Sequence, residues 1–174
     1  MNFSNKKTLI TYYSRSGENY MGGKIVNLDE GNTEVAAKKI KEMTGADIFE
    51  IDTVKSYPND YTETTRVALD ELSKDARPEL TETVADMDSY EIIILAYPNW
   101  WGTMPMGVFT FLEAYDFSDK IIIPLCTHEG SGLGRSEKDI KKLCPKAKVA
   151  NGLAVRGGNV DNADEKIKNW LKSI

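Results

Sequence analysis

With 174 residues, 41% of them hydrophobic and 28% charged, the chain can enclose one α/β core and is short for two. A formal net charge of −5 argues against nucleic acid as a partner, because that role calls for a basic stripe. No apolar run approaches the roughly 20 residues of a membrane span, so no membrane insertion is expected.

Met1-Asn2-Phe3-Ser4-Asn5-Lys6-Lys7 leads straight into a strand and lacks the apolar centre of a signal peptide. Thr8 to Tyr13 reads as that strand, central because little in it is charged. Ser14-Arg15-Ser16-Gly17 follows. The next clear helix opens at Asn32 or Thr33, with Ala36, Ile40 and Met43 on one face and Gly45 as its stop. The stretch between, Glu18 to Gly31, holds Tyr20, Met21 and a Gly22-Gly23 pair. It is long for a strand-to-helix connection, which usually takes about 2–6 residues. It is therefore expected to be either a mobile flap over a ligand or a surface excursion.

Asp47 to Asp52 alternates apolar and polar residues, as an edge strand with one wet face does. Asp60 to Ala76 carries Tyr61, Thr65, Ala68, Leu69 and Leu72 at helical spacing and stops before Pro78. Ile92-Ile93-Ile94-Leu95-Ala96 is continuously apolar, the pattern of a strand covered on both faces. The chain breaks at Pro98, sets Trp100 and Trp101 in a short loop, and restarts as a helix at Pro105 with Met106, Phe109 and Leu112 inward. Ile121 to Cys126 is a second buried strand, running into Thr127-His128-Glu129-Gly130-Ser131-Gly132-Leu133-Gly134. A helix over Ser136 to Leu143 follows, then a weaker strand over Val149 to Val155. Asn162 and Glu165 form a candidate capping box for a last helix bearing Ile167, Trp170 and Leu171.

Five strands alternate with five helices, without repeats or low-complexity linkers. The expectation over residues 1–174 is a single α/β domain, a doubly wound five-stranded parallel sheet with helices on both faces. In the order 2-1-3-4-5, the loops after strands one, three and four would meet at the switch point, where such sheets bind ligands.

Those three loops carry the chemistry. Ser14, Ser16, Gly17, Asn32 and Thr33 offer hydroxyls, an amide and the free N–H groups of a helix start, which is a phosphate site made of neutral donors. The plain alternative is that Asn32 or Thr33 is an N-cap and the serines are turn residues. Gly17 to Lys24 misses a nucleoside-triphosphate loop by one residue, and Ile25 stands where magnesium needs a hydroxyl. No Gly-x-Gly-x-x-Gly follows a strand, so a dinucleotide fingerprint is missing. Trp100 and Trp101 suit the wall of a flat aromatic ligand. His128 is the only histidine, either solvated or within reach of a ligand. One histidine and two dispersed cysteines, Cys126 and Cys144, argue against a metal site and for a reducing compartment, so a cytoplasmic location is expected. Ser131 lies in Gly-Ser-Gly with no histidine after it, which argues against a serine hydrolase.

Taken together, Tyr12 to Gly17 with Gly31-Asn32-Thr33, Tyr97-Pro98-Asn99-Trp100-Trp101-Gly102-Thr103-Met104-Pro105 and Cys126 to Gly132 resemble the three flavin loops of the flavodoxin family. The resemblance spans essentially the whole chain and is strongest to short bacterial flavodoxin-like proteins with a Trp-Trp-Gly-Thr-Met-Pro segment. It implies an FMN-binding carrier of electrons between redox partner proteins. Ser14, Arg15, Ser16, Gly17, Asn32 and Thr33 would belong to its phosphate loop, split here by the insertion. Pro98, Asn99, Trp100, Trp101, Gly102 and Thr103 would line the ring and its N5 edge. Thr127, His128, Glu129, Gly130, Ser131 and Gly132 would line its pyrimidine side. The alternatives are an NAD(P)H-dependent FMN reductase acting on quinones or similar acceptors, and a binding module that kept the fold and lost FMN.

Overall fold

Thr8–Tyr12 (β1) and Ile92–Pro98 (β5) form neighbouring parallel strands at the middle of the sheet, with Leu9 opposite Ile93 and Thr11 opposite Leu95. The computed structural model that shows this describes residues 6–174, and the leader-free start expected over Met1–Asn5 lies outside the described residues. Ile92 to Tyr97 are completely buried, as a strand covered on both faces requires. Each large aliphatic side chain so buried contributes about 1.5–3 kcal/mol. Beyond β1 lies Asp47–Glu50 (β4), and beyond β5 lies Ile121–His128 (β6), both parallel to their neighbours.

The helices form two layers. Asn32–Thr44 (α1) and Asp164–Ser173 (α5) bury Ala36, Ala37, Ile40, Ile167, Trp170 and Leu171 against Ile10, Ile94 and Ile123 on one face. Met106–Glu113 (α3) and Ser136–Leu143 (α4) cover the other with Val108, Phe111, Leu112 and Ile140, and Leu72 of Tyr61–Ser73 (α2) packs beside them. Gly45 ends α1 in the left-handed conformation, its N–H bonded to Lys41 O at 2.8 Å. Met43 and Leu69, expected on buried faces, are both exposed.

The expected single last strand is two short ones, Lys148–Val149 (β7) and Leu153–Arg156 (β8), both paired with β6. The sheet is therefore six-stranded, in the order β4-β1-β5-β6-β7 with β8 also on β6. The gap falls opposite Pro124, which has no N–H to offer an edge strand. The freed backbone is claimed by side chains: Asn151 O accepts from Trp170 Nε1 at 3.1 Å, and Gly152 N–H donates to Glu137 Oε1 at 2.7 Å. A 3₁₀ helix over Gly157–Asn162 precedes α5, whose N-cap is Ala163, so the Asn162–Glu165 capping box does not form. Pro105 sits one residue before α3 as its N-cap.

The insertion after β1 is a two-stranded antiparallel hairpin, Gly17–Met21 (β2) and Lys24–Leu28 (β3). Gly22 and Gly23 both have positive φ, 62° and 91°, the turn whose twist matches that of the strands it joins.

Candidate functional site at the carboxyl ends of β1, β5 and β6

The carboxyl end of β1 runs into Ser14 and Arg15, which press against the first turn of α1. A Cβ on Gly31, the N-cap, would collide with Ser14 Oγ and with Arg15 O. This closeness lets Ser14 Oγ accept from Glu34 N–H at 3.0 Å, leaving its own O–H free to donate. Thr33 Oγ1 lies 2.7 Å from Thr127 Oγ1 at the end of β6, and both side chains are buried. The N–H groups of Asn32 and Thr33 open the helix without a partner among the described residues.

These groups border a cleft of about 120 Å³. It brings together the expected site residues Ser14, Arg15, Asn32, Thr33, Pro98, Asn99, Trp100, Thr127, His128 and Glu129. The Arg15 guanidinium is not free for an anion. It donates to the carbonyls of Glu18, Pro58 (2.5 Å) and Asn59 (2.6 Å), and burial lowers its pKa. The cleft is thus lined chiefly by neutral donors and a helix start.

Pro98 to Thr103 form a rigid wall. Trp100 N–H donates to Thr103 O at 2.8 Å and Thr103 N–H to Trp100 O at 3.2 Å, closing a turn in which Trp101 (φ 53°) and Gly102 (φ 83°) are both left-handed. Asn99 Oδ1 accepts from Gly102 N–H at 3.0 Å. Thr103 is fully buried and donates to Asp139 Oδ2 at 2.6 Å, so it anchors the turn to α4 and faces away from the cleft. The Trp100 ring meets Tyr13 and Tyr57 edge-on, at centroid distances of 5.5 and 5.0 Å. Burial raises the pKa of both phenols well beyond the usual range, so they stay neutral. Trp101 is half exposed, its Nε1–H bonded to Thr65 O at 2.9 Å.

A second cleft of about 450 Å³ adjoins the first, sharing Arg15, Asn19, Tyr61, Asn99 and Trp100 with it. Trp101, Gly102 and Ser131 line it from one side, and Thr64, Thr65 and Ala68 of α2 from the other. The remaining candidates lie outside both clefts. Ser16 borders an acidic hollow with Asp29, Glu34, Glu50 and Asp52, on the far side of Ser14 and Arg15, which line both it and the first cleft, and Gly17 begins β2. Gly130 N–H donates to His128 Nδ1 at 2.9 Å, and Gly132 O accepts from Asn99 Nδ2 at 2.8 Å, so both glycines act through backbone groups. Burial pulls the His128 pKa below its ordinary value.

Tyr20, named in the insertion expected as a flap or a surface excursion, lines the first cleft; Asn19, Tyr61 and Gly157 line it too and were not among the expected site residues. A hairpin signal was legible: two five-residue stretches flank Gly22-Gly23. Gly157-Gly158 likewise marks the end of the last strand. No group of three or more histidine, cysteine, aspartate or glutamate side chains is placed to hold a metal among the described residues, and no helix there is long and apolar enough to cross a membrane.

Fold and site together define an α/β protein with a groove at the carboxyl ends of its central parallel strands. The chain belongs to the flavodoxin family, whose model, described as Flavodoxin, matches residues 7–174. Among solved structures it is similar to a protein from Bacteroides uniformis ATCC 8492 provisionally classed as a flavoprotein. That match has 26% identity over 96% of this chain and 98% of the other, with a TM-score of 0.76. A flavoprotein from Lactobacillus acidophilus NCFM, solved in complex with FMN, is 22% identical over 94% and 99%, with a TM-score of 0.67. An NADH:FMN oxidoreductase (EMOB) shares the fold at 12% identity over 97% and 86%, with a TM-score of 0.55. No curated protein matches the chain.

Proposed function

We propose that this chain, read as one flavodoxin-like domain, binds FMN and carries electrons between redox partner proteins in the cytoplasm. In this reading β7 and β8 together fill the fifth position of a 2-1-3-4-5 sheet. The observation that carries the proposal is the continuity of the two clefts. One end is polar, with Ser14, Thr33 and Thr127 hydroxyls and the open N–H groups of α1; the other is walled by Trp100 and Trp101. A phosphate on a polar tail and a flat ring have matching surfaces in that order.

Ser14, Asn32 and Thr33 would hold the phosphate without a bound cation, since Arg15 is committed to carbonyls. Pro98 to Gly102 and Thr127 to Ser131 would flank the ring, with Thr103 fixing the turn from behind. The flavin supplies the redox chemistry, and the chain supplies position and electrostatics. A site of neutral donors in a protein of net charge −5 disfavours added negative charge, which suits a reducing carrier.

The test compares two ligands that differ in the phosphate alone. Ser14→Ala with Thr33→Val should weaken FMN far more than riboflavin, at about 1.5–3 kcal/mol per lost bond to a charged group. Equal losses would move the phosphate elsewhere. Purified protein that stays colourless with added FMN would retire the flavin reading altogether.

A second reading, an NAD(P)H-dependent FMN reductase for quinones or similar acceptors, draws on the width of the α2-side cleft and on the half-exposed Trp101 at its mouth. The carrier reading expects NADH and NADPH to bleach bound flavin only slowly. Rapid, saturable bleaching would promote the reductase.

A further inference from the structure

The β2–β3 hairpin lies across the first cleft, with Asn19 and Tyr20 in its lining, and its two ends are held very differently. At the root, Arg15 ties Glu18 O to Pro58 O and Asn59 O, and Glu18 Oε2 accepts from Tyr61 N–H at 2.9 Å at the start of α2. The Tyr20 ring stacks on Tyr61 at 6.2 Å. Charged donors and acceptors make these bonds strong. At the tip, the contacts are a 3.2 Å bond from Gly22 N–H to Glu129 Oε2 and a 3.8 Å approach of Asn32 Nδ2 to Met21 Sδ. Glu129 is mostly buried at 14% exposure; its Oε1 accepts from Gly158 N–H at 2.8 Å, and Arg156 Nε lies 3.6 Å from the Oε2 that holds Gly22. Its carboxylate is spent on joining the hairpin tip to the turn after β8.

We propose that the hairpin is a strap that opens at its tip and pivots at its root, with Glu129 the positioning residue that latches it over the cleft and sets how fast FMN enters and leaves. The proposal rests on the FMN reading above. The root keeps its bonds because breaking them strands a guanidinium and three carbonyls together, whereas the tip gives up one long bond. Tyr20 and Ile25, both exposed, meet water in either position, so opening uncovers little new apolar surface on the strap.

A reversible lock tests this. A Cβ on Gly158 would lie 3.5 Å from Met21 Cγ, so Met21→Cys with Gly158→Cys places two thiols within bonding reach when the strap is shut. Native Cys126 and Cys144 are buried free thiols, pushed up by burial to about 12 and about 11, and stay out of the reaction. Oxidation of the pair should slow both uptake and release of FMN by about tenfold or more relative to the same protein reduced. Equal rates in the two states, or thiols that do not join in the flavin-free protein, would overturn the strap.

Glu129→Ala should do the reverse, quickening both rates, with Glu129→Gln between. Amide exchange gives a readout that needs no flavin. In Glu129→Ala the Gly22 N–H should exchange faster while Tyr61 N–H, held by Glu18, keeps its protection. Parallel acceleration at both, or at neither, would overturn the latch. If wild type and the reduced pair take up no FMN, the cofactor reading fails and the strap is decided by that exchange ratio alone.

Discussion

On one wall of the cleft, the Trp100–Thr103 turn is fastened by paired backbone bonds and by a fully buried threonine. On the other, the β2–β3 hairpin is held by side chains at its root and its tip. Both walls depend on left-handed backbone, Trp101 and Gly102 in the first, Gly22 and Gly23 in the second. What differs is what surrounds that backbone. Gly102 O accepts from Arg135 N–H at 2.8 Å beneath α4's first turn, so the turn cannot shift without disturbing the core. The hairpin's turn is exposed and meets the body only through side chains, with Gly22 N–H on Glu129 Oε2 at 3.2 Å and Met21 Sδ 3.8 Å from Asn32 Nδ2. A wall built into the core keeps a ring position fixed, and a wall built from clasps can admit a ligand.

The sharpest way to break the fixed wall is Gly134→Ala. Gly134 has φ 55°, and a Cβ there would run into the Gly102 carbonyl, which is backbone and cannot step aside. Strain and overlap together should cost about 2–4 kcal/mol, measured by urea unfolding of flavin-free protein. Because the damage lies on the side proposed for the flavin ring, riboflavin and FMN should lose affinity equally. A loss below about 0.5 kcal/mol would mean that the turn gives way and that the two walls are alike after all.

The movable wall is broken at its root by Arg15→Ala. Three carbonyls lose their donor, and each buried acceptor left unmet costs about 1–3 kcal/mol, discounted here because the site is only part-buried. We expect about 1–3 kcal/mol in total, with amide exchange quickening through β2 and β3 and at Tyr61 N–H while the Trp100–Thr103 amides keep their protection. Exchange that rises in the Trp100–Thr103 turn as well would show the two walls to be one cooperative unit.

This contrast also separates what the sequence makes legible from what it conceals. β5 announces itself because Ile92 to Ala96 is apolar at every position, and Gly45 ends α1 by a rule that acts within a few residues. Ser136–Leu143 is a helix with the expected boundaries for the same local reasons. The split of the last strand depends on Pro124 of a neighbouring strand and on the side chains of Trp170 and Glu137, all distant in sequence. The cleft shows the same division. Ser14, Thr33, Trp100 and Thr127 follow strands or open a helix, so their place is set by chain order. Tyr61, Thr64 and Ala68 reach the clefts only because Arg15 and Glu18 tie the start of α2 to the hairpin, a link between residues about 40 positions apart that no local pattern encodes.

The smallest effect concerns the loop between the two walls, and it decides to which of them that loop belongs. His128 Nδ1 accepts from Gly130 N–H at 2.9 Å, which puts the neutral ring's proton on Nε2. Protonating Nδ1 would set two N–H groups against each other, so the 128–130 loop must move for the cation to form. Burial lowers the His128 pKa; Glu129 opposes that shift, and Lys166 and Arg156 add to it. Between the lowered folded value and the unfolded value of about 6.5, the unfolded chain binds more protons than the folded one. Stability therefore rises with pH through that window and is lost as pH falls below about 6.5. The side chain is only partly buried, so the effect should be slight. Between pH 7.5 and 5.5 wild type should lose on the order of 1 °C more in Tm than His128→Gln, whose other titrating groups are the same. Such a difference would place the loop with the fixed wall, since a loop that resists protonation is one that resists moving. Superimposable pH profiles would show that Gly130 lets go of the ring freely, which would place the loop with the hairpin on the yielding side of the cleft.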